Sequence, residues 1–436
     1  MAIFGRRRVG KTRLITEYIR SKNEQCTFLY YQCMSYDYRT CLADFLTVSS
    51  AYVPQNGILS TAGSFKDAIS YITKECGQKL CIIIDDFPFL AKKRKDAVTE
   101  FQWIIDHGLN GQKMILLGSN RSFMKNQIQH EESPLYGRFD EILEIKPFTF
   151  EEVLTLFPSL DDAMQVYATT GGVAQYVSFF MAYKSVQEAM ASLFFCSDGR
   201  LIQEAFNMLL QELRDSTTYE RIFRALGSSD KTTSQISAKS GLDSKGISAY
   251  LNKLIDLNLI EVVSNPLSKD KRNTRYRICD LLFRFHYSFI EPNMSIINSL
   301  QEKSMEYILN NQYQEYLGFV YEDIIRQRCY SYALVGKLPF MPVTTGKWLG
   351  NIQEGQVWKE SEIDVIAYND KQIAIGEYKY RNKKVGLKEL LHLQAKVPFV
   401  NVGKREVYYL LASKSGFTDE LLSLQDPHII LIDQIG

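Results

Sequence analysis

Short apolar runs alternate with helical spacing through the first third of the chain. Ala2 to Phe4, Phe28 to Cys33, Leu80 to Ile84 and Met114 to Leu117 are the runs, and Arg13 to Ile19 is the first helical stretch. Continuous apolar strands separated by helices predict a parallel sheet covered on both faces. Pro147 marks a change. From Thr149 to about Asp215 the spacing is helical, interrupted mainly at Gly171-Gly172, a pair that punctuates helices. Tyr219 to Asp280 reads as three short helices and a polar hairpin, and a helical connector leads on to Tyr316. Strands return at the end, where Glu362 to Tyr368 and Gln372 to Tyr380 flank the turn signal Asn369-Asp370.

Composition changes this picture little. At 436 residues the chain exceeds what one hydrophobic core supports, so several compact units are expected. Apolar residues at 45% and charged residues at 23% exclude long disorder and rod-like folds. Lys+Arg 51 against Asp+Glu 50 gives a net +1, which excludes a purely electrostatic nucleic-acid binder but not local basic patches. The eight cysteines form no C-x-x-C pair and read as core thiols in a reducing cytoplasm. Lys11, Arg13, Glu17 and Arg20 leave no room for a signal-peptide apolar region. The uncharged stretch Ala163 to Tyr183 is too polar to span a bilayer, so no membrane role is expected.

The first candidate chemistry lies at the N-terminus. Gly5-Arg6-Arg7-Arg8-Val9-Gly10-Lys11-Thr12 fits G-x-x-x-x-G-K-T, follows an apolar strand and opens an amphipathic helix. Such a loop wraps phosphate oxygens with backbone N–H groups, Lys11 neutralises the outer phosphates, and the Thr12 hydroxyl can ligate Mg²⁺. ATP or ADP with Mg²⁺ is therefore the expected ligand. The strand Leu80 to Ile84 ends in Asp85-Asp86, at the sheet edge where ligands of open α/β folds collect. Asp85 is expected to hold Mg²⁺ through water, and Asp86 to orient the attacking water. The strand Met114 to Leu117 ends in Gly118-Ser119-Asn120; Asn120 is the expected polar contact to that water, with Ser119 as the alternative register.

Two further constellations follow. Thr232 to Ser240, Gly241 and Asp243 to Leu257 read as helix, turn and second helix, with Asp243 or Ser244 as N-cap. Ile247, Leu251, Leu254 and Ile255 form a buried stripe, leaving Lys245, Ser248 and Asn252 for a DNA groove. Leu267 to Arg277 carries five basic residues and one acid, a basic hairpin in which Lys271, Arg272 and Arg275 are expected to meet phosphates. Asp364 lies on one strand, and Glu377 and Lys379 lie two apart on the next, sharing a face. Two carboxylates and a lysine suit metal-assisted phosphodiester hydrolysis: Asp364 and Glu377 hold the metal and Lys379 orients or deprotonates water. Glu322 offers a further acid from a preceding helix, and Gln394 could assist from the following one. Tyr378 to Lys388 adds five basic residues and no acid, a local charge fit for a phosphate backbone.

The motifs GRRRVGKT, IIIDDFPFL, LLGSNRSFM, SPLYGRF and TGGVAQY resemble those of a prokaryotic family of AAA+ ATPases with a winged helix and a nuclease-like C-terminal domain. The set Glu322, Asp364, Glu377 and Lys379 resembles that of the PD-(D/E)xK nucleases. The resemblance implies an α/β architecture in four parts. These are a P-loop AAA+ parallel sheet over 1–147, a helical lid over 148–215, a winged helix-turn-helix over 216–290, and a connector with a restriction-endonuclease-like domain over 291–436. It also implies that Arg138 is an arginine finger acting on a neighbouring copy in a homo-oligomer. Three departures stand out. Met1 is only four residues from Gly5, which would leave part of the adenine pocket missing. Asp86 stands where such ATPases place Glu, and Gln175 where relatives place Arg. A carboxylate one methylene short can cost about 10²-fold in rate, so slow hydrolysis is expected. The implied function is nucleotide-controlled DNA binding coupled to metal-dependent DNA cleavage. The alternative is a non-hydrolysing ATP or ADP switch whose end domains only bind DNA or a protein partner.

Overall fold

Alternate residues of the fully buried strand Leu80–Asp85 pack into different apolar clusters. Ile82 and Ile84 join Phe45, Phe65, Phe87 and Phe101 on one face, whereas Cys81 and Ile83 join Ile3, Ile15, Ile115 and Leu117 on the other. Period-two side chains with both faces covered explain why this strand is apolar throughout. The computed structural model describes residues 1–22, 26–35, 37–53, 57, 59–76, 78–91, 94–213, 215–227, 229–243, 246–263, 265–268 and 274–433. They fold as two units, Met1–Pro147 with Val173–Tyr176, and Phe148–Gly172 with Val177–Gly436.

The first unit contains β1 (Ala2–Gly5), β2 (Thr27–Gln32), β3 (Leu80–Asp85), β4 (Lys113–Gly118) and β5 (Ile142–Ile145). Their order is β2-β3-β4-β1-β5, and every pairing is parallel. Parallel pairing brings Gly5, Asp85 and Gly118 to the same carboxyl edge. A β-carbon on Gly5 would stand 2.2 Å from the Ile145 carbonyl oxygen, so the close approach of β5 at the end of β1 requires glycine. The helix Lys11–Lys22 starts directly beyond it.

In the second unit, Leu160–Thr170 is a helix that Ser159 caps through the Asp162 N–H and Gly171 ends in the left-handed region. A β-carbon on Gly172, φ +69, would stand 2.0 Å from the Phe148 carbonyl oxygen. This explains the double glycine. The segment expected as one helical lid is thus divided, since Val173–Tyr176 belongs with the first unit.

Next come the helices Ser216–Leu226, Thr233–Ser240 and Ile247–Asp256 with β6 (Lys231–Thr232), β7 (Ile260–Val263) and β8 (Arg275–Ile278), in an antiparallel sheet ordered β6-β8-β7. Thr232 and Gln235 form a capping box at the first of the two adjacent helices, and Gly241 ends it. The second runs from Ile247 after Gly246, and the Asp243 carbonyl accepts the Gly246 and Ile247 N–H groups at its start; Ser244 lies outside the described residues.

After the helix Asn311–Gln327 come β9 (Thr344–Glu354), β10 (Val357–Tyr368), β11 (Gln372–Lys379), the helix Leu387–Lys396, β12 (Glu406–Ser413) and β13 (Ile429–Ile432). The sheet order is β13-β12-β11-β10-β9, antiparallel from β9 to β11 and parallel from β11 to β13. The β10–β9 register shifts between Ile363 and Ile366. Ile363 to Ala367 are buried in succession, as are Ile373 to Tyr378 of β11, because both faces of this part of the sheet are covered.

Candidate functional site

At the edge of the first sheet, the Lys11 ammonium donates to the Gly5 and Arg6 carbonyl oxygens at 3.0 and 2.8 Å. Arg8 and Gly10 have φ of +68 and +96, left-handed positions of the kind from which anion-binding nests are built. The Gln175 N–H donates to the Arg8 carbonyl at 3.1 Å, and the Arg8 guanidinium lies over the Tyr176 ring. Val173–Tyr176 therefore braces the phosphate loop, with Val9 buried inside it.

The Thr12 hydroxyl donates to Asp85 Oδ2 at 2.8 Å, and the Tyr30 hydroxyl donates to the same oxygen at 2.9 Å. Burial, then Asp85, push the Tyr30 phenol well above its ordinary pKa. Asp85 Oδ1 accepts the Asp86 N–H at 2.8 Å, holding Asp86 at φ +54, an uncommon backbone for a residue with a side chain. Ser119 Oγ donates to Asp86 Oδ1 at 2.9 Å, and Gln32 Nε2 to Oδ2 at 3.3 Å. The residue that meets Asp86 is thus Ser119, directly after β4. Asn120, expected in that role, turns its Oδ1 to the Phe123 N–H as a helix N-cap. Arg138, expected as a finger, donates from Nε to both Asp106 oxygens at 3.1 and 3.0 Å, because the loop after Ser133 lays it against its own unit.

The second candidate site lies where β10 and β11 meet the helix Asn311–Gln327. Asp364 Oδ2 accepts the Tyr378 N–H at 2.9 Å. Lys379 Nζ stands 2.8 Å from Glu377 Oε1, and Lys396 Nζ stands 3.7 Å from Oε2. Glu377 Oε2 is buried without a hydrogen-bond partner. From β9, Lys347 Nζ lies 3.0 Å from Glu362 Oε2 and 3.5 Å from Glu322 Oε2. Burial, then Asp364, raise the Glu322 carboxyl to about 8 against the pull of Lys347. Burial also raises Asp364. For Glu377 burial acts upward, but Lys379, Lys396 and His392 outweigh it and the net shift is downward. Burial would lower Lys379; Glu377 and Asp364 reverse that and raise it. Lys379 is accordingly a full cation here, suited to orienting water or an anion rather than to taking a proton.

Buried carboxylate oxygens, one of them without a hydrogen bond, suit a hard divalent cation. As the side chains stand, no three of His, Cys, Asp or Glu among the described residues converge to hold one; lysine ammoniums lie against Glu322, Glu362 and Glu377.

Residues 1–180 match the model of an ATPase domain predominantly from Archaea. The N-terminal part is thus similar to that ATPase domain. Residues 286–390 match a family of archaeal and bacterial proteins of unknown function. An uncharacterized protein of Methanocaldococcus jannaschii is 28% identical over 431 residues, 95% of this chain and 90% of that protein. Two solved structures are more distantly similar. The Aeropyrum pernix ORC2 protein, in ADPNP and ADP complexes, has 14% identity and a TM-score of 0.41, covering 67% of this chain and 88% of that chain. The Aeropyrum pernix ORC1 protein, in complex with DNA, has 14% identity and a TM-score of 0.34 over 68% and 87%.

Of the residues expected at a DNA groove, Ser248 and Asn252 are exposed on the helix Ile247–Asp256, while Ile247, Leu251 and Leu254 are buried. Arg275 instead pairs with Glu360 of β10 at 3.0 Å, because β8 directs it toward the C-terminal sheet. Lys245, Lys271 and Arg272 lie outside the described residues. Sequence reading missed Tyr30, Gln32, Lys347 and Lys396. Lys396, not Gln394, is the residue from the following helix that reaches Glu377. The missed polar residues had no motif to mark them, since each becomes visible only once strands are paired or, for Lys396, once its helix packs on the sheet. Among the described residues no helix is long and apolar enough to cross a membrane.

Proposed function

We propose that this chain binds ATP or ADP with Mg²⁺ at Gly5–Thr12, contacts DNA through the helix pair and hairpin of 216–278, and cleaves DNA at the β10–β11 site. The observation that carries the cleavage reading is Asp364, buried at a strand irregularity, beside Glu377 and Lys379 on one face of the neighbouring strand. Asp364 and Glu377 would hold a divalent cation, with Glu322 beside them, and such an ion supplies Lewis-acid polarisation and an activated water. Lys379 presents a fixed positive charge to the phosphoryl group. Lys383, Lys384 and Lys388 are exposed beyond it and would follow the DNA backbone. A short strand, two adjacent helices and a hairpin support a winged helix; in that reading Ser248, Asn252 and Lys245 would contact bases and Lys271 and Arg272 would contact phosphates. At the nucleotide, Thr12 and Asp85 would hold Mg²⁺ and Asp86 would orient water. Asp86, with both oxygens already engaged, favours slow turnover and keeps the non-hydrolysing switch as the second reading.

Lys11→Ala should weaken ATP binding by about 10- to 100-fold, the worth of a charge-assisted hydrogen bond to an anion. Calorimetry giving equal affinities would remove the nucleotide assignment. Duplex, single-stranded and branched DNA supplied with Mn²⁺ and ATP should be cut by the wild type and not by Asp364→Ala. If DNA binds but no form is cut, the C-terminal sheet is a binding module.

A further inference from the structure

Lys347 is the most deeply placed cation of the C-terminal site, with a side chain only 6% exposed. It lies in β9 opposite the register shift at Asp364, between the pairs Trp348↔Ile363 and Gly346↔Ile366. Its ammonium is shared between Glu362 Oε2 at 3.0 Å and Glu322 Oε2 at 3.5 Å. It also lies 5.8 Å from the centroid of the Phe319 ring, one helical turn before Glu322. A buried ammonium is tolerated only when paired, and buried carboxylates of like charge gather only when something neutralises them. Lys347 meets both conditions at once.

We propose that Lys347 is a resident counter-cation that competes with a divalent metal for this site and so sets the metal affinity of the chain. The proposal rests on the reading of Asp364, Glu377 and Glu322 as the metal-holding carboxylates. The Glu322 carboxylate that attracts the ammonium is one that would also face the metal, and the two positive charges repel at close range. This also accounts for the side-chain arrangement, in which carboxylates meet lysines instead of one another. Lysine suits such a role better than arginine, being a compact charge on a flexible four-carbon stem. Glu362 provides the way out, since its side chain is 48% exposed; the ammonium can follow it toward solvent while Glu322 turns to the metal. Metal loading is then an exchange of one cation for another, and a DNA phosphate could assist it by drawing Lys347 outward.

The test is calorimetric titration of the full chain with Mn²⁺ alone. Any heat that survives Asp364→Ala belongs elsewhere, including the phosphate loop, and is subtracted. Lys347→Met keeps the stem against Phe319 and removes the charge, so the Asp364-dependent site should bind Mn²⁺ at least about tenfold tighter, 1.4 kcal/mol by the ordinary conversion. Lys347→Arg keeps the charge and should give no tightening. If Lys347→Met does not fold, as judged by its melting transition, Lys347→Gln carries the same expectation. Unchanged or weaker Asp364-dependent binding in the neutral variants would overturn the role of Lys347 and leave the metal reading intact. If neither the wild type nor the neutral variants show Asp364-dependent heat, the metal reading and this proposal fall together.

Discussion

Lys379→Ala is expected to lower metal-dependent DNA cleavage by about 10²- to 10³-fold, the usual cost of removing one preorganised donor to developing negative charge. The ammonium stands 2.8 Å from Glu377 Oε1 on the same face of β11, and its side chain remains partly open to solvent. It therefore has both a fixed origin and access to a phosphodiester. Because its pKa is raised by Glu377 and Asp364 against the effect of burial, the charge persists above the usual lysine range. The wild-type rate should consequently not fall between neutral pH and pH 9 through loss of this proton. Single-turnover rates in Mn²⁺ at saturating enzyme separate this effect from binding, which a filter assay measures independently. A rate within threefold of the wild type would assign Lys379 to holding Glu377 in place, with no part in the reaction.

How much of this was legible before folding differs by site. The phosphate loop was legible because its chemistry is local: Gly5, Gly10, Lys11 and Thr12 are joined by one strand-to-helix turn, and spacing alone specifies it. Asp85 was legible because a carboxylate closing an otherwise apolar strand must emerge at the carboxyl edge of the sheet, where ligands collect. Ser119 against Asn120 was not, because the last residues of a strand exchange faces with a one-residue change in register. The alternative register is the one that meets Asp86. Arg138, expected as an arginine finger, and Arg275, expected at a phosphate, each find a carboxylate remote in sequence, Asp106 and Glu360. Pairing of that kind depends on tertiary packing and leaves no periodic trace. Lys347 was the largest omission. A lysine in a polar-looking strand ordinarily signals a solvated face, and only the packing of the helix Asn311–Gln327 against β9 and β10 buries that position.

The widest consequence of packing concerns Asp323, next to Glu322 on the helix Asn311–Gln327. Its carboxylate receives Arg277 of β8 at 2.9 Å, Arg284 at 3.4 Å and Arg326 from its own helix. Arg326 also donates to the Asp364 carbonyl oxygen at 3.3 Å. One buried anion thus ties the hairpin strand, the Leu281–Phe285 helix and the acidic site together. Burial alone would raise the Asp323 carboxyl, but Arg326, Arg277 and Arg284 outweigh it and lower it to about 2. An unfolded aspartate titrates near 3.9, so the folded state holds this proton less tightly than the unfolded state. The contribution is about 2–3 kcal/mol, fully present above pH 4 and lost as pH falls through 2. Asp323→Ala leaves three guanidinium groups facing one another and should destabilise the second unit by about 3–5 kcal/mol, the cost of breaking a buried ion network by removing one partner. Asp323→Asn keeps the shape without the charge, so its stability should lose the dependence on pH between 4 and 2 that the wild type shows. Urea unfolding followed by tryptophan fluorescence reads both effects, because Trp348 is buried in β9 of the same unit. An alanine variant within 1 kcal/mol of the wild type, with an unchanged acid limb, would mean that the three arginines find other partners and that the hairpin is not tied to the site through this residue.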